Sequence, residues 1–159
     1  MPDLRIGHGF DLHPLVERRD LIIGGVKIDH EKGLGGHSDA DVLVHAIIDA
    51  LLGASGLPDI GQQFPPSDDH FKNANSMELL QEVMTMIQDS GRRPVVNIDA
   101  VIMAEEPLLN PHIPQMKKNI ASVLGIDENR VGIKATSCEG LGAIGRGEAI
   151  AASAVCLLG

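Results

Sequence analysis

The stretch His37-Ser38-Asp39-Ala40-Asp41-Val42-Leu43-Val44-His45-Ala46-Ile47-Ile48-Asp49-Ala50-Leu51-Leu52 carries a long helical period. Val42, Leu43, Ala46, Ile47, Ala50 and Leu51 recur at three- and four-residue intervals, as one face of an α-helix requires. Ser38 is of N-cap type, and Asp39 and Asp41 then fall in the first turn, where the helix dipole favours carboxylates. The glycines at 53 and 56 end the pattern. On the N-terminal side, residues 4–13 read as a strand with a glycine-rich middle. Residues 21–28 read as two short strands about Gly24-Gly25, a hairpin signal, and 31–36 as a loop. On the C-terminal side, 58–72 with Pro65-Pro66 reads as a loop. Ser76 caps a helix over 77–89 that stops at Gly91. Residues 95–104 form a buried strand with Asn97 and Asp99 on its other face. Asn110-Pro111 opens a helix that runs to Leu124 and stops at Gly125. A strand over 131–136, a glycine-rich loop over 141–147 and a small-residue strand over 149–158 complete the chain. The fold class is α+β: a mixed β-sheet with helices packed on one face, in a β-α-β-α-β-β core. The other sheet face needs a partner, which points to an oligomer. With 159 residues and no repeat or linker, residues 1–159 form one domain.

Composition narrows the function. Lys plus Arg number 13 against 22 Asp plus Glu, a net charge of −9. Nucleic acid and anionic membrane both call for a basic face, so neither is a partner. There is no Trp, no Tyr and only Phe10, Phe64 and Phe71, too few aromatics for base stacking. A phosphorylated small molecule would have to be held by metal ions, backbone amides and a few placed cations. No apolar run reaches the roughly 18 residues of a membrane span, and Met1-Pro2-Asp3-Leu4-Arg5 has no signal-peptide pattern. The expected setting is a reducing cytoplasm. Cys138 and Cys156 lack C-x-x-C spacing and read as buried thiols.

Two constellations carry chemistry. Asp11 and His13 lie two apart on a strand and project to one face, with Leu12 pointing the other way, into the core. Alone, such a pair is as readily a solvated one. Asp41, His45 and Asp49 are spaced by four on the helix and stack on one face. From Ser38 to Leu52 there is no Lys, Arg or Glu, so this face is a costly way to be soluble and a natural way to hold a cation. Asp11, His13 and His45 together make a His₂-carboxylate set, and three protein ligands leave a fourth position open, as in catalytic Zn²⁺ sites. Asp41 or Asp49 is placed to orient a ligating His. The segment Lys134-Ala135-Thr136-Ser137-Cys138-Glu139-Gly140 ends a strand with hydroxyls and amides suited to phosphate and a Glu suited to a hard cation such as Mg²⁺. It is not a P-loop, and Gly142, Gly145 and Gly147 do not make a dinucleotide fingerprint. His37 abuts the helix start, where anions bind.

These segments together resemble the 2-C-methyl-D-erythritol 2,4-cyclodiphosphate synthase family of the non-mevalonate isoprenoid pathway. The resemblance runs from Arg5-Ile6-Gly7-His8-Gly9-Phe10-Asp11-Leu12-His13 to Gly145-Arg146-Gly147-Glu148. It includes Ile23-Gly24-Gly25, His37-Ser38-Asp39-Ala40-Asp41-Val42, Asp59-Ile60-Gly61, Phe64-Pro65 and Pro111-His112-Ile113-Pro114-Gln115-Met116. It implies a homotrimer with the sheets facing the three-fold axis and active sites between subunits. It implies Zn²⁺ on Asp11, His13 and His45, and a second divalent cation, Mg²⁺ or Mn²⁺, on Glu139. His37 and Ser137 match residues that stabilise the transition state. Asp59, Ile60, Gly61 and Phe64 match the part that meets the methylerythritol, with Ser38 beside His37. Ala104, Glu105, Glu106, Pro107 and Thr136 match the part that reads cytidine, and Arg146 the cation of a central cavity that takes prenyl diphosphate in some members. The chain departs from the commoner pattern at Pro66 (often Asp), Leu108 (often Lys), Ser137-Cys138 (a Thr pair) and Ala143 (often Phe).

The implied reaction joins the 2-phosphate of 4-diphosphocytidyl-2-C-methyl-D-erythritol 2-phosphate to its own β-phosphate, releasing CMP. The attacking oxygen is already anionic, so no strong base is required. The rivals are a zinc-dependent phosphohydrolase and a non-catalytic, metal-binding, isoprenoid-sensing trimer. The compartment implied is bacterial cytoplasm, or plastid stroma for a mature plant protein.

Overall fold

The computed structural model describes residues 3–89, 91 and 94–159, the side chain of His70 excepted. Met1 and Pro2, at the head of the stretch read for a leader, lie outside them. A five-stranded mixed sheet is formed by β1 (Arg5–Glu17), β4 (Lys32–Leu34), β5 (Val95–Met103), β6 (Val131–Thr136) and β7 (Ala149–Leu158). Its order is β4-β1-β7-β5-β6, with β5 and β6 parallel and the other pairs antiparallel. The hairpin β2 (Leu21–Ile23) and β3 (Val26–Ile28) stands apart as a two-stranded ribbon. It turns through Gly24 and Gly25, both at positive φ, as a tight hairpin requires. The long helices are α1 (Val42–Ser55), α3 (Ser76–Asp89) and α4 (Ile113–Leu124), with single-turn helices α2 (Ile60–Gln63) and α5 (Gly142–Gly145). The helices pack on one sheet face as expected, with α1 and α3 both standing between β1 and β5 in the chain.

α1 is the centre of the core. Only Asp49 and Gly53 of its residues escape burial, because the sheet lies beneath it and α3 against its flank. The helix rests on β1 through two glycines. A Cβ at Gly7 would stand 1.8 Å from the Ala50 carbonyl oxygen, and one at Gly9 2.0 Å from that of Ala46. This parity fixes the whole strand: Gly7, Gly9, Asp11 and His13 face α1, while Ile6, Phe10 and Leu12 face away and are 73%, 54% and 46% exposed. Leu12 is therefore not in the core of the single chain. It lies on the sheet face without helices.

Other boundaries differ from expectation for local reasons. β1 continues past His13 to Glu17 because Leu15–Glu17 pair with β4, which lies in the stretch read as a loop. The α1 N-cap is Asp41, not Ser38: Ala40 sits at φ 58°, breaking the helical path, and the Asp41 side chain accepts the Val44 N–H. Asp41 also accepts the N–H groups of Gly24 and Gly25 at 2.9 and 2.8 Å, so one buried carboxylate caps α1 and docks the hairpin. Ser76 is the first residue of α3, and the Asn75 side chain accepts the Met77 N–H. The loop over 58–72 contains α2 and the 141–147 loop contains α5. Cys156 is buried and donates to the Ala50 carbonyl, but Cys138 is half-exposed.

Candidate metal centre and active-site pocket

β1 brings Asp11 and His13 under α1, and His45 comes down on them. Asp11 Oδ2 lies 2.7 Å from His13 Nε2 and 3.0 Å from His45 Nδ1, and these two ring nitrogens are 3.2 Å apart. Among the described residues this is the one group of three metal-type side chains whose donor atoms converge. Burial works to raise the Asp11 carboxyl, but the hydrogen bonds and charges of His13 and His45 outweigh it and hold it well below the usual carboxylate range. Burial works to lower His13. Asp11, by hydrogen bond and charge, and the Gly35 carbonyl outweigh that and raise it.

The donor set suits a divalent transition metal. His13 Nδ1 is 2.9 Å from the Gly35 carbonyl, which can only accept, so the lone pair of the neutral ring is on Nε2, toward Asp11. His45 turns Nε2 toward the hydroxyls of Ser38 and Ser76, at 3.1 and 2.8 Å, and Nδ1 toward Asp11. Two imidazole nitrogens and one carboxylate oxygen, with no fourth protein donor in the group among the described residues, match an open zinc-type site. Asp41 and Asp49 do not orient the histidines as expected. Asp41 is spent on the hairpin and the helix cap, and Asp49 accepts the Ile60 N–H at 2.8 Å. One stripe on α1 thus does three jobs, and only His45 reaches the metal-type cluster. Asp49, raised chiefly by burial, ties α2 to α1.

The cluster forms the floor of a cavity of about 230 Å³ whose walls include His37, Ser38, Ile60, Gly61 and Phe64. His37 is half-buried, its Nε2 3.4 Å from the Asp68 carbonyl. Phe64 meets Phe71 edge to face at 5.2 Å, which packs the loop. Asp59 caps α2 and is exposed, holding Gln62 by both backbone and side chain. Pro66, one of the departures, also lines this cavity.

The remaining predicted residues lie elsewhere on the chain. Ala104, Glu105, Pro107, Thr136 and Ser137 line a cavity of about 130 Å³ at the ends of β5 and β6, with Leu108 on its rim, and share no lining residue with the first. The Ala104 N–H donates to the Thr136 carbonyl, and the Cys138 N–H to Glu105. Glu106 and Arg146 line a third cavity of about 340 Å³ with Glu105. Arg146 is paired with Glu148 through two contacts of 2.8 and 3.1 Å. Glu139 is exposed beside Ser137, Oγ to Oε1 3.4 Å, and is not part of the Asp11 cluster. Ser76, with Asp39 behind it, is the contact to the cluster that sequence reasoning missed. Its 31-residue separation from His45 leaves no local signal.

Comparison with known proteins places the chain in a family. The model of the YgbB family matches residues 4–159. A 2-C-methyl-D-erythritol 2,4-cyclodiphosphate synthase of Clostridium botulinum (strain Hall) is 57% identical over 155 residues, 98% of this chain and 99% of that protein. The bifunctional IspDF of Campylobacter jejuni superposes with a TM-score of 0.94 at 44% identity, over 98% of this chain but only 42% of that longer one. The IspF of Plasmodium falciparum, solved as a CDP complex, superposes with a TM-score of 0.85 at 35% identity, over 98% of this chain and 95% of that one. With the family model and a near-full-length relative both matching, the chain belongs to the YgbB family, that of the 2-C-methyl-D-erythritol 2,4-cyclodiphosphate synthases.

Proposed function

We infer that this chain converts 4-diphosphocytidyl-2-C-methyl-D-erythritol 2-phosphate to 2-C-methyl-D-erythritol 2,4-cyclodiphosphate and CMP, as a phosphorus–oxygen lyase of isoprenoid synthesis. An oxygen of the 2-phosphate bonds to the β-phosphorus, the bond from that phosphorus to the CMP oxygen breaks, and CMP carries the electron pair away. The observation that carries this reading is the convergence of Asp11, His13 and His45 at a pocket floor, in a chain of this family. Zn²⁺ on these three, and Mg²⁺ or Mn²⁺ on Glu139, supply positive charge to phosphate oxygens when bound.

The protein's own part is positioning. His37 and Ser137 meet the phosphates, and Asp59, Ile60, Gly61 and Phe64 hold the methylerythritol end with Ser38. Ala104, Glu105, Glu106, Pro107 and Thr136 take the cytidine. Holding both phosphates of one molecule in contact removes much of the entropic barrier, on the order of 7–11 kcal/mol in well-oriented cases. The metal pocket and the β5/β6 cavity are separate in one chain. That supports a homotrimer in which one subunit's metal pocket faces its neighbour's cytidine cavity, with the exposed apolar faces of β1 and β7 turned to the three-fold axis. The Arg146 guanidinium near that axis is the anion site of a central cavity. Ala143 there gives a prenyl diphosphate chain less to grip than the family's Phe. No helix among the described residues is long and apolar enough to cross a membrane, in keeping with a cytoplasmic or stromal enzyme.

Phosphorus NMR of the reaction decides the activity. The cyclic diphosphate and CMP in equal amounts are the expected products. Linear, hydrolysed phosphates would mark a hydrolase instead, and no turnover a binding protein.

A further inference from the structure

We propose that Asp39 and Ser76 are positioning residues that fix the protonation and aim of His45, a role that rests on the reading of Asp11, His13 and His45 as metal ligands. The argument is a count of protons. Ser76 Oγ contacts both Asp39 Oδ1 and, at 2.8 Å, His45 Nε2. A carboxylate only accepts, so the single hydroxyl proton of Ser76 goes to Asp39, and Ser76 has only lone pairs left for His45. His45 must then donate from Nε2, which leaves its lone pair on Nδ1, the atom 3.0 Å from Asp11 Oδ2 and 3.2 Å from His13 Nε2. Asp39 is itself fixed: Oδ2 accepts the Ser76 N–H at 3.0 Å and Oδ1 the Asp41 N–H at 3.2 Å. Ser76 is fully buried, so water does not compete for its hydroxyl. Ser38 Oγ, which accepts the Ala40 N–H, lies 3.1 Å from the same Nε2 and gives that proton a second acceptor.

The chain of bonds runs Asp39, Ser76, His45, across 37 and then 31 residues of sequence. His13 achieves the same result with the Gly35 carbonyl alone. A backbone carbonyl has no tautomer to lose, but a hydroxyl can either give or take. The Asp39 carboxylate removes that ambiguity. Asp39→Asn breaks the relay's fixed sense: its one oxygen cannot serve the Ser76 N–H and the Asp41 N–H together, and when it turns to the Ser76 N–H its NH₂ donates to Ser76 Oγ. Ser76 then donates to His45 Nε2 and drives the ring proton onto Nδ1, where a metal must bind.

The test is zinc affinity by chelator competition on wild type, Asp39→Asn and Ser76→Ala, beside the melting temperature of each metal-free protein. The expected result is a zinc Kd raised about 10- to 100-fold in both variants, with metal-free melting within a few degrees of wild type for Asp39→Asn. A Kd within twofold of wild type in a folded variant overturns the relay while leaving the three ligands standing. A wild-type chain that takes up no zinc overturns the ligand assignment itself. Should neither variant fold, nitrogen-15 NMR of the metal-free wild type, at a pH where the His45 ring is neutral, still decides: the ring proton belongs on Nε2, and a proton on Nδ1 refutes the proposal.

Discussion

A single buried carboxylate shows how much one residue settles here. Asp41 is wholly buried, yet it accepts three backbone N–H groups, from Gly24, Gly25 and Val44. Burial pushes its carboxyl up to about 6, the three N–H groups pull the other way, and nearby Asp39 adds to the rise. With the folded value above the unfolded one, the native state holds this proton more tightly. The Asp41 contribution to stability is therefore largest at low pH and declines as pH rises from about 4 to about 6. Carbon-13 NMR of the Asp41 carboxyl should show a midpoint near 6 in the folded chain, and a midpoint at 4 or below would contradict this. The residue types at Asp11, His13 and His45 were legible because strand and helix periods bring them to facing surfaces. The tasks of Asp39, Asp41 and Asp49 were not, since acidic side chains before and along one helix look alike until Ser76, the hairpin and α2 come up against them.

The decisive contact between elements is α1 on β1. Gly7 and Gly9 let the helix backbone approach the strand so closely that His45 meets Asp11 and His13. Gly9→Ala would place a methyl group 2.0 Å from the Ala46 carbonyl oxygen, and backbone on both sides leaves nothing flexible to yield. We expect a loss of about 3 kcal/mol in chemical denaturation, the upper end for overpacking, together with weaker zinc retention because both halves of the cluster move apart. Unchanged stability would show that α1 can lift away freely. The long helices, the hairpin and strands β5, β6 and β7 were readable from period and turn residues, but β4 fell in a stretch read as a loop. The single-turn helices were not: α2 has four residues and no apolar period, and it is held by Asp49, a tertiary contact. Leu12 was misplaced because alternation gives two faces without saying which one is covered. The glycines at odd positions were the missing signal, since only that face admits a helix.

At the scale of the whole molecule, the single chain leaves an apolar face uncovered. One sheet face carries Ile6, Phe10, Leu12 and Val155 in the open, more apolar side chain than a solvated sheet face normally shows. The residues matched to cytidine, Glu106 excepted, lie in a cavity apart from the metal-type cluster. Sedimentation equilibrium should give a trimer at assay concentrations, and a fully active monomer would refute the shared site. The resemblance read from the motifs covered nearly the whole chain, and the family it implied is the one found. That the metal-type cluster and most residues matched to cytidine line separate cavities was invisible to motif spacing, which orders residues along the chain and not in space. The central claim is that one open metal site sits on Asp11, His13 and His45 at the point of reaction. Anomalous X-ray scattering at the zinc edge, from crystals grown with a cytidine nucleotide, tests it most directly. The account predicts one peak per chain, about 2.0–2.2 Å from Asp11 Oδ2, His13 Nε2 and His45 Nδ1, with the fourth position free of protein. A peak held by four protein ligands, or none at these three residues, would contradict it.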